Sequence, residues 1–108
     1  MTLRDNSSLL LIFFSSANSG PARRMDSLVA QIAQKERRYL RVAHVDIYER
    51  PDLADRFRVH AAPTLILVKQ GRVVERIEGR AKAAEIKGLL ESYLFAETAR
   101  EARSESAA

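Results

Sequence analysis

The chain has 108 residues, 46% of them hydrophobic, with 18 Lys and Arg against 14 Asp and Glu for a net charge of +4, and no cysteine. That length suits one domain around one core. Without a thiol, disulfides, thiolate nucleophiles and thiolate-held metals are excluded together.

The first apolar run, Leu9–Phe14, is continuous rather than alternating, which predicts a strand covered on both faces. Arg4, this run and Ser15-Ser16-Ala17 have the outline of a small signal peptide. The run is short and leads straight into a helix start, so it reads as a strand, and the protein is expected in the cytoplasm. No stretch reaches the roughly 20 apolar residues that span a bilayer. Ser15 to Gly20 is a polar turn. Pro21 has the fixed φ of a first helical position, with Ser19 or Gly20 as cap. Met25, Leu28, Val29, Ile32 and Ala33 then follow the spacing of one buried helical face. Lys35, Arg37 and Arg38 close the helix where its dipole favours cations.

A second strand is expected over Leu40–Ile47 and a short helix from Pro51 through Phe57. A loop follows at Val59–Pro63, then a strand over Thr64–Val68, a Gln70-Gly71 turn and a strand over Val73–Ile77. The last helix begins near Ala83, with Ile86, Leu89, Leu90, Tyr93 and Leu94 on one stripe. Past Phe95 apolar content falls, and the helix is expected to continue for a turn or two and then fray. The division is a domain over 1–95 and a helical extension with a flexible tail over 96–108. The order β-α-β-α-β-β-α predicts an α/β fold. Its mixed four-stranded sheet pairs the first two strands in parallel and the last two as a hairpin, with helices on both faces.

Few residues suggest chemistry. His44 and His60 have no carboxylate cluster beside them, so no metal site is expected, and the scattered glycines form no phosphate cradle. Lys35-Glu36-Arg37-Arg38 lacks interleaved aromatics and reads as a helix end, not a nucleic-acid surface. Arg23 and Arg24 lie in a first helical turn, where the dipole disfavours cations. They are read as solvated, with attraction of an acidic partner as the alternative. Ser19 as a nucleophile would need a base, for which His60 is the nearer candidate; a helix cap is the simpler reading. No catalytic residue and no cofactor are assigned.

Taken in order, several pieces resemble the thioredoxin family from Leu9 to Leu94. They are the strand into Phe13-Phe14, Ser19-Gly20-Pro21-Ala22-Arg23 opening a helix, and Val42–Ile47 followed by Pro51. Arg58–Leu65, Lys69-Gln70-Gly71 and Gly79 complete the set. The resemblance implies a thioredoxin-like fold whose usual first strand and helix are missing or reduced. It also implies loss of redox activity. The family's Cys-Gly-Pro-Cys is Ser19-Gly20-Pro21-Ala22 here, its buried acid is Phe13, its Trp is Asn18 and its helix Pro is Ser27. Ala62-Pro63 matches the family's cis-proline loop, whose backbone pairs with extended substrate. The resemblance therefore implies a groove of Asn18, Ser19, Ala61, Ala62 and Pro63 that takes an unidentified protein or extended peptide. A serine at a helix start beside such a loop is also similar to glutathione transferases. That leaves a thiol-ligand-binding enzyme, with Ser19 donating a hydrogen bond, as a second reading. The sheet edge left by a missing first strand gives a third, a homodimer; monomer or weak homodimer is expected.

Overall fold

The computed structural model describes residues 9–107, with side chains through residue 103. Arg4 and the stretch that would carry the family's first strand and helix lie outside the described residues. The elements are β1 (Leu9–Ser15), α1 (Gly20–Lys35), β2 (Leu40–Asp46), α2 (Pro51–Arg56), β3 (Thr64–Lys69), β4 (Arg72–Glu78) and α3 (Ala83–Ala107). The four-stranded sheet runs β2-β1-β3-β4, with β1 parallel to β2 and antiparallel to β3, and β3 antiparallel to β4.

The unbroken apolar run of β1 has the two-sided burial its pattern requires. Leu9, Leu11 and Phe13 join Leu65 and Leu67 of β3 beneath Met25, Val29 and Ile32 of α1 and Ile86 and Leu90 of α3. Ile12 and Phe14 face the other way and pack with Val45, Ile66, Val59 and Ala54 of α2. Helices α1 and α3 therefore share one face of the sheet and α2 covers the other. Burying an apolar side chain of this size contributes about 1.5–3 kcal/mol, so β1, enclosed on both sides, is the energetic centre of the domain.

Local signals set the element ends. Gln70 (φ 51°) and Gly71 (φ 82°) both take the left-handed conformation that a two-residue hairpin turn between twisted strands requires. A register shift between Leu67 and Val68 interrupts the β3–β4 ladder. After α2, the N–H of Val59 donates to the carbonyl of Ala54 (2.8 Å) and that of Arg58 to Asp55 (3.0 Å). This is the Schellman pattern, and it puts Arg58 in the left-handed position (φ 56°) where glycine is usual.

The last helix exceeds the expected turn or two beyond Phe95, since α3 is one helix of 25 residues ending at Ala107. Glu97 is buried, and Glu101 is bonded to Arg38 and Tyr39 across the fold, contacts of which composition carries no sign.

Candidate functional site

The residues singled out from the sequence fall on two segments at one end of the sheet. Phe14 of β1 is the register partner of Thr64 of β3. The turn that leaves β1 and the loop that enters β3 therefore start from neighbouring strands, a ladder spacing of about 4.8 Å apart.

The first segment is a tight turn organised by Ser16. Its buried hydroxyl accepts from the N–H of Asn18 (3.2 Å) and its carbonyl from the N–H of Ser19 (3.1 Å). Ser19 is the N-cap of α1, as its position before Pro21 predicted: its Oγ accepts from the N–H of Ala22 (3.1 Å). Pro21 has no N–H to satisfy in the first turn, which suits it to that place. Ala22 is fully buried, and Phe13 below it is fully buried and meets the ring of His44 edge-on at 5.5 Å. Ala22 and Phe13, two positions singled out from the sequence, are thus part of the apolar core.

The second segment is tied down on both sides of one residue. Thr64 Oγ1 donates to the carbonyl of Ala61 (2.9 Å), and the N–H of Gly79 donates to the carbonyl of Pro63 (2.8 Å). The Ala62–Pro63 peptide bond is cis. Half-buried Ala62, between these anchors, has no partner for its N–H or carbonyl among the described residues. Asn18 and Ala61 are exposed, Ser19 is half-buried and Pro63 is buried.

Neither histidine is hydrogen-bonded to Ser19: His44 lies on β2 against Phe13, and His60 is exposed in the loop before Pro63. Ser19 Oγ is engaged as a cap, and among the described residues no histidine is hydrogen-bonded to it. Among the described residues no three His, Asp or Glu side chains gather as a metal would need, and no helix is long and apolar enough to cross a membrane.

Several cationic contacts were not legible in the sequence. The Arg24 guanidinium folds back over the turn, its nitrogens 3.6 and 3.8 Å from where a Cβ on Gly20 would stand. Arg76 reaches from β4 to the carbonyls of Phe57 (2.8 Å) and Arg58 while its Nε holds Glu78 (2.8 Å), which fastens the loop before Pro63 to the sheet. The expected strand over Val73–Ile77 includes Arg76 but does not show where its side chain ends. Elsewhere, a groove of about 590 Å³ opens between α1 and α3 over Leu28, Ile32, Leu90 and Leu94. None of the five predicted groove residues lines it.

The fold and this site define a thioredoxin-type domain whose chain contains no cysteine. The thioredoxin family model matches residues 1–92, and the chain belongs to the thioredoxin family. It is 35% identical to thioredoxin H2 of Arabidopsis thaliana over 80 residues, covering 74% of this chain and 59% of that one. It is 31% identical to a thioredoxin-like protein of Synechocystis over 77 residues, covering 71% and 73%. Among solved structures, a mutant thioredoxin from Halobacterium salinarum superposes with a TM-score of 0.77 at 29% identity, covering 82% of this chain and 77% of that one. A thioredoxin from Nicotiana alata gives 0.73 at 31% identity, covering 80% and 73%. The last residues of α3 lie beyond the family match.

Proposed function

We propose that this chain is a redox-inactive thioredoxin-fold module that binds an extended peptide or protein segment across the Ser19–Ala22 turn and the Ala61–Pro63 loop. The observation that carries the reading is the free main chain of Ala62, a donor and an acceptor left unpaired on a half-buried residue between two anchored neighbours. Backbone groups so placed are satisfied by water or by a strand laid beside them, and strand addition gains affinity from main-chain bonds. Small side chains at Asn18, Ser19, Ala61 and Ala62 favour tolerant rather than selective side-chain contacts. Redox inactivity follows from the chemistry, since 108 residues without cysteine offer no thiol to attack a disulfide.

Amide shifts on titration with a short, neutral, Val- and Thr-rich peptide test the binding. Movement at Ala61, Ala62 and Ser19 is expected, and its absence there would end the reading. Reduced glutathione serves as the competing ligand: saturable shifts at Ser19 with glutathione alone would favour the thiol-ligand enzyme. In an insulin-reduction assay with dithiothreitol, the rate is expected to match the blank without protein.

A further inference from the structure

We infer that the groove selects an extended segment with carboxylates on both sides of the stretch crossing Ala62. The inference rests on the groove reading above and adds the chemistry of the partner. Three separate parts of the chain bring arginines to this end of the sheet: Arg23 and Arg24 in the first turns of α1, Arg58 after α2 and Arg80 after β4. All four are exposed, and among the described residues none is in an ion pair. Each is tied to the site by a neighbour. Arg24 lies against Gly20, Arg80 follows the Gly79 N–H that holds Pro63, and Arg58 has its carbonyl held by Arg76.

Several of the carboxylates nearby are engaged. Glu78 is held by Arg76 and Asp52 by Arg50, while Asp46 accepts from the N–H groups of Tyr48 and Glu49. Asp26, Glu49 and Asp55 remain, exposed on α1, in the turn after β2 and on α2. The first turn of α1 has no acidic residue, although its dipole would favour one; Arg23 ends that turn and Arg24 opens the next. Arg58 occupies a left-handed position that favours glycine. Unpaired cations flanking a free backbone donor and acceptor complement a strand with acidic ends, and such rim charges set selectivity and salt dependence.

The test uses the whole chain and fluorescein-labelled peptides with one Val/Thr centre and either Glu, Gln or Lys at both ends. Anisotropy gives affinity, and amide shifts give the place of binding. The Glu peptide is expected to bind about tenfold more tightly than the Gln peptide at low salt, the Lys peptide most weakly, with the preference fading as salt rises. Arg24→Glu combined with Arg80→Glu, both exposed positions, is expected to reverse the order. If Glu and Gln peptides bind equally and both shift Ala61 and Ala62, the groove reading stands and the acidic preference falls. If the Glu preference survives the double variant, Arg24 and Arg80 do not set it and the inference falls. If no peptide shifts Ala61 or Ala62, both readings fall together.

Discussion

The hydroxyl of Tyr39 donates to Oε1 of Glu101 at 2.6 Å, joining the approach to β2 to the second half of α3. Arg38 adds two bonds to the other carboxylate oxygen, at 3.0 and 3.3 Å. Glu101 lies beyond the family match, so this cluster fastens an added length of helix onto the domain. Glu97, one turn earlier, is buried and held by Arg100 at 2.7 Å.

The cluster gives the helix end a pH window. The Tyr39 hydrogen bond and then the Arg38 guanidinium hold the Glu101 carboxyl below its ordinary value of 4.5. A depressed carboxylate contributes stability that is fully present above the unfolded value and is lost as pH falls through the folded one. Tyr39 is raised above 10.0, first by its bond to Glu101, so its contribution is present below that value and is lost as pH rises through the folded one. Amide exchange at residues 96–101 is therefore expected to be slowest, relative to Tyr39→Phe, between about pH 5 and 10, with the difference vanishing on both sides. A Tyr39→Phe variant with unchanged exchange at mid-range pH would show that the bond does not hold the helix.

Arg76 and Arg58 make opposite predictions about the loop before Pro63. Arg76→Ala removes a charged donor from two loop carbonyls and is expected to cost about 1–3 kcal/mol in urea unfolding. Arg58→Gly relieves a left-handed backbone and is expected to stabilise the fold by up to about 1 kcal/mol. If the guanidinium of Arg58 serves binding, the same variant weakens the acidic peptide while strengthening the fold. Loss of stability in Arg58→Gly would count against the strain assigned there.

What the sequence disclosed was what repeats locally or sits at a fixed offset. The two-sided burial of β1, the Ser19 cap before Pro21, the Gln70-Gly71 turn and the stripe of α1 through Met25, Val29 and Ile32 are written in spacing and residue type. The hidden features depend on the ends of long side chains and on distant partners. Arg76 meets carbonyls 18 and 19 positions away, and Tyr39 meets a carboxylate 62 positions away. Neither pair has a periodic signature. The length of α3 is hidden for the same reason: residues past Phe95 look solvated in composition, yet Glu97 is buried and Glu101 is held by Arg38 and Tyr39, an arrangement that only the fold creates. The free main chain of Ala62 was equally invisible, since it depends on what Thr64 and Gly79 do to either side.

Phe13 tests how completely the site has joined the core. It is fully buried, packed with Met25 and edge-on to His44. Phe13→Asp puts a carboxyl into a fully buried apolar place with the His44 ring at its edge, and is expected to cost several kcal/mol because burial penalises the charged form. Phe13→Leu, which keeps the apolar contact but loses volume, is expected to cost about 1–2 kcal/mol. Urea unfolding separates the two, and equal costs would mean that volume rather than charge is what the position enforces.

Reinstating the sulfurs asks whether the turn still has its old electrostatics. In Ser19→Cys/Ala22→Cys the first thiol stands at the N-cap of α1, next in sequence to Gly20, over which the Arg24 guanidinium lies, and the helix head and a nearby cation both favour a thiolate. Its reaction with iodoacetamide is expected to titrate below the ordinary thiol value of about 8.5, whereas the second thiol, at a fully buried position, is expected to react slowly. Insulin reduction is expected to rise above the blank but to stay slow, because Phe13 provides no group for proton transfer. Adding Arg24→Ala is expected to move the first thiol back toward 8.5 while leaving the cap intact. A first thiol that titrates at or above 8.5 in the double variant would mean that the helix head no longer presents the field on which dithiol chemistry depends.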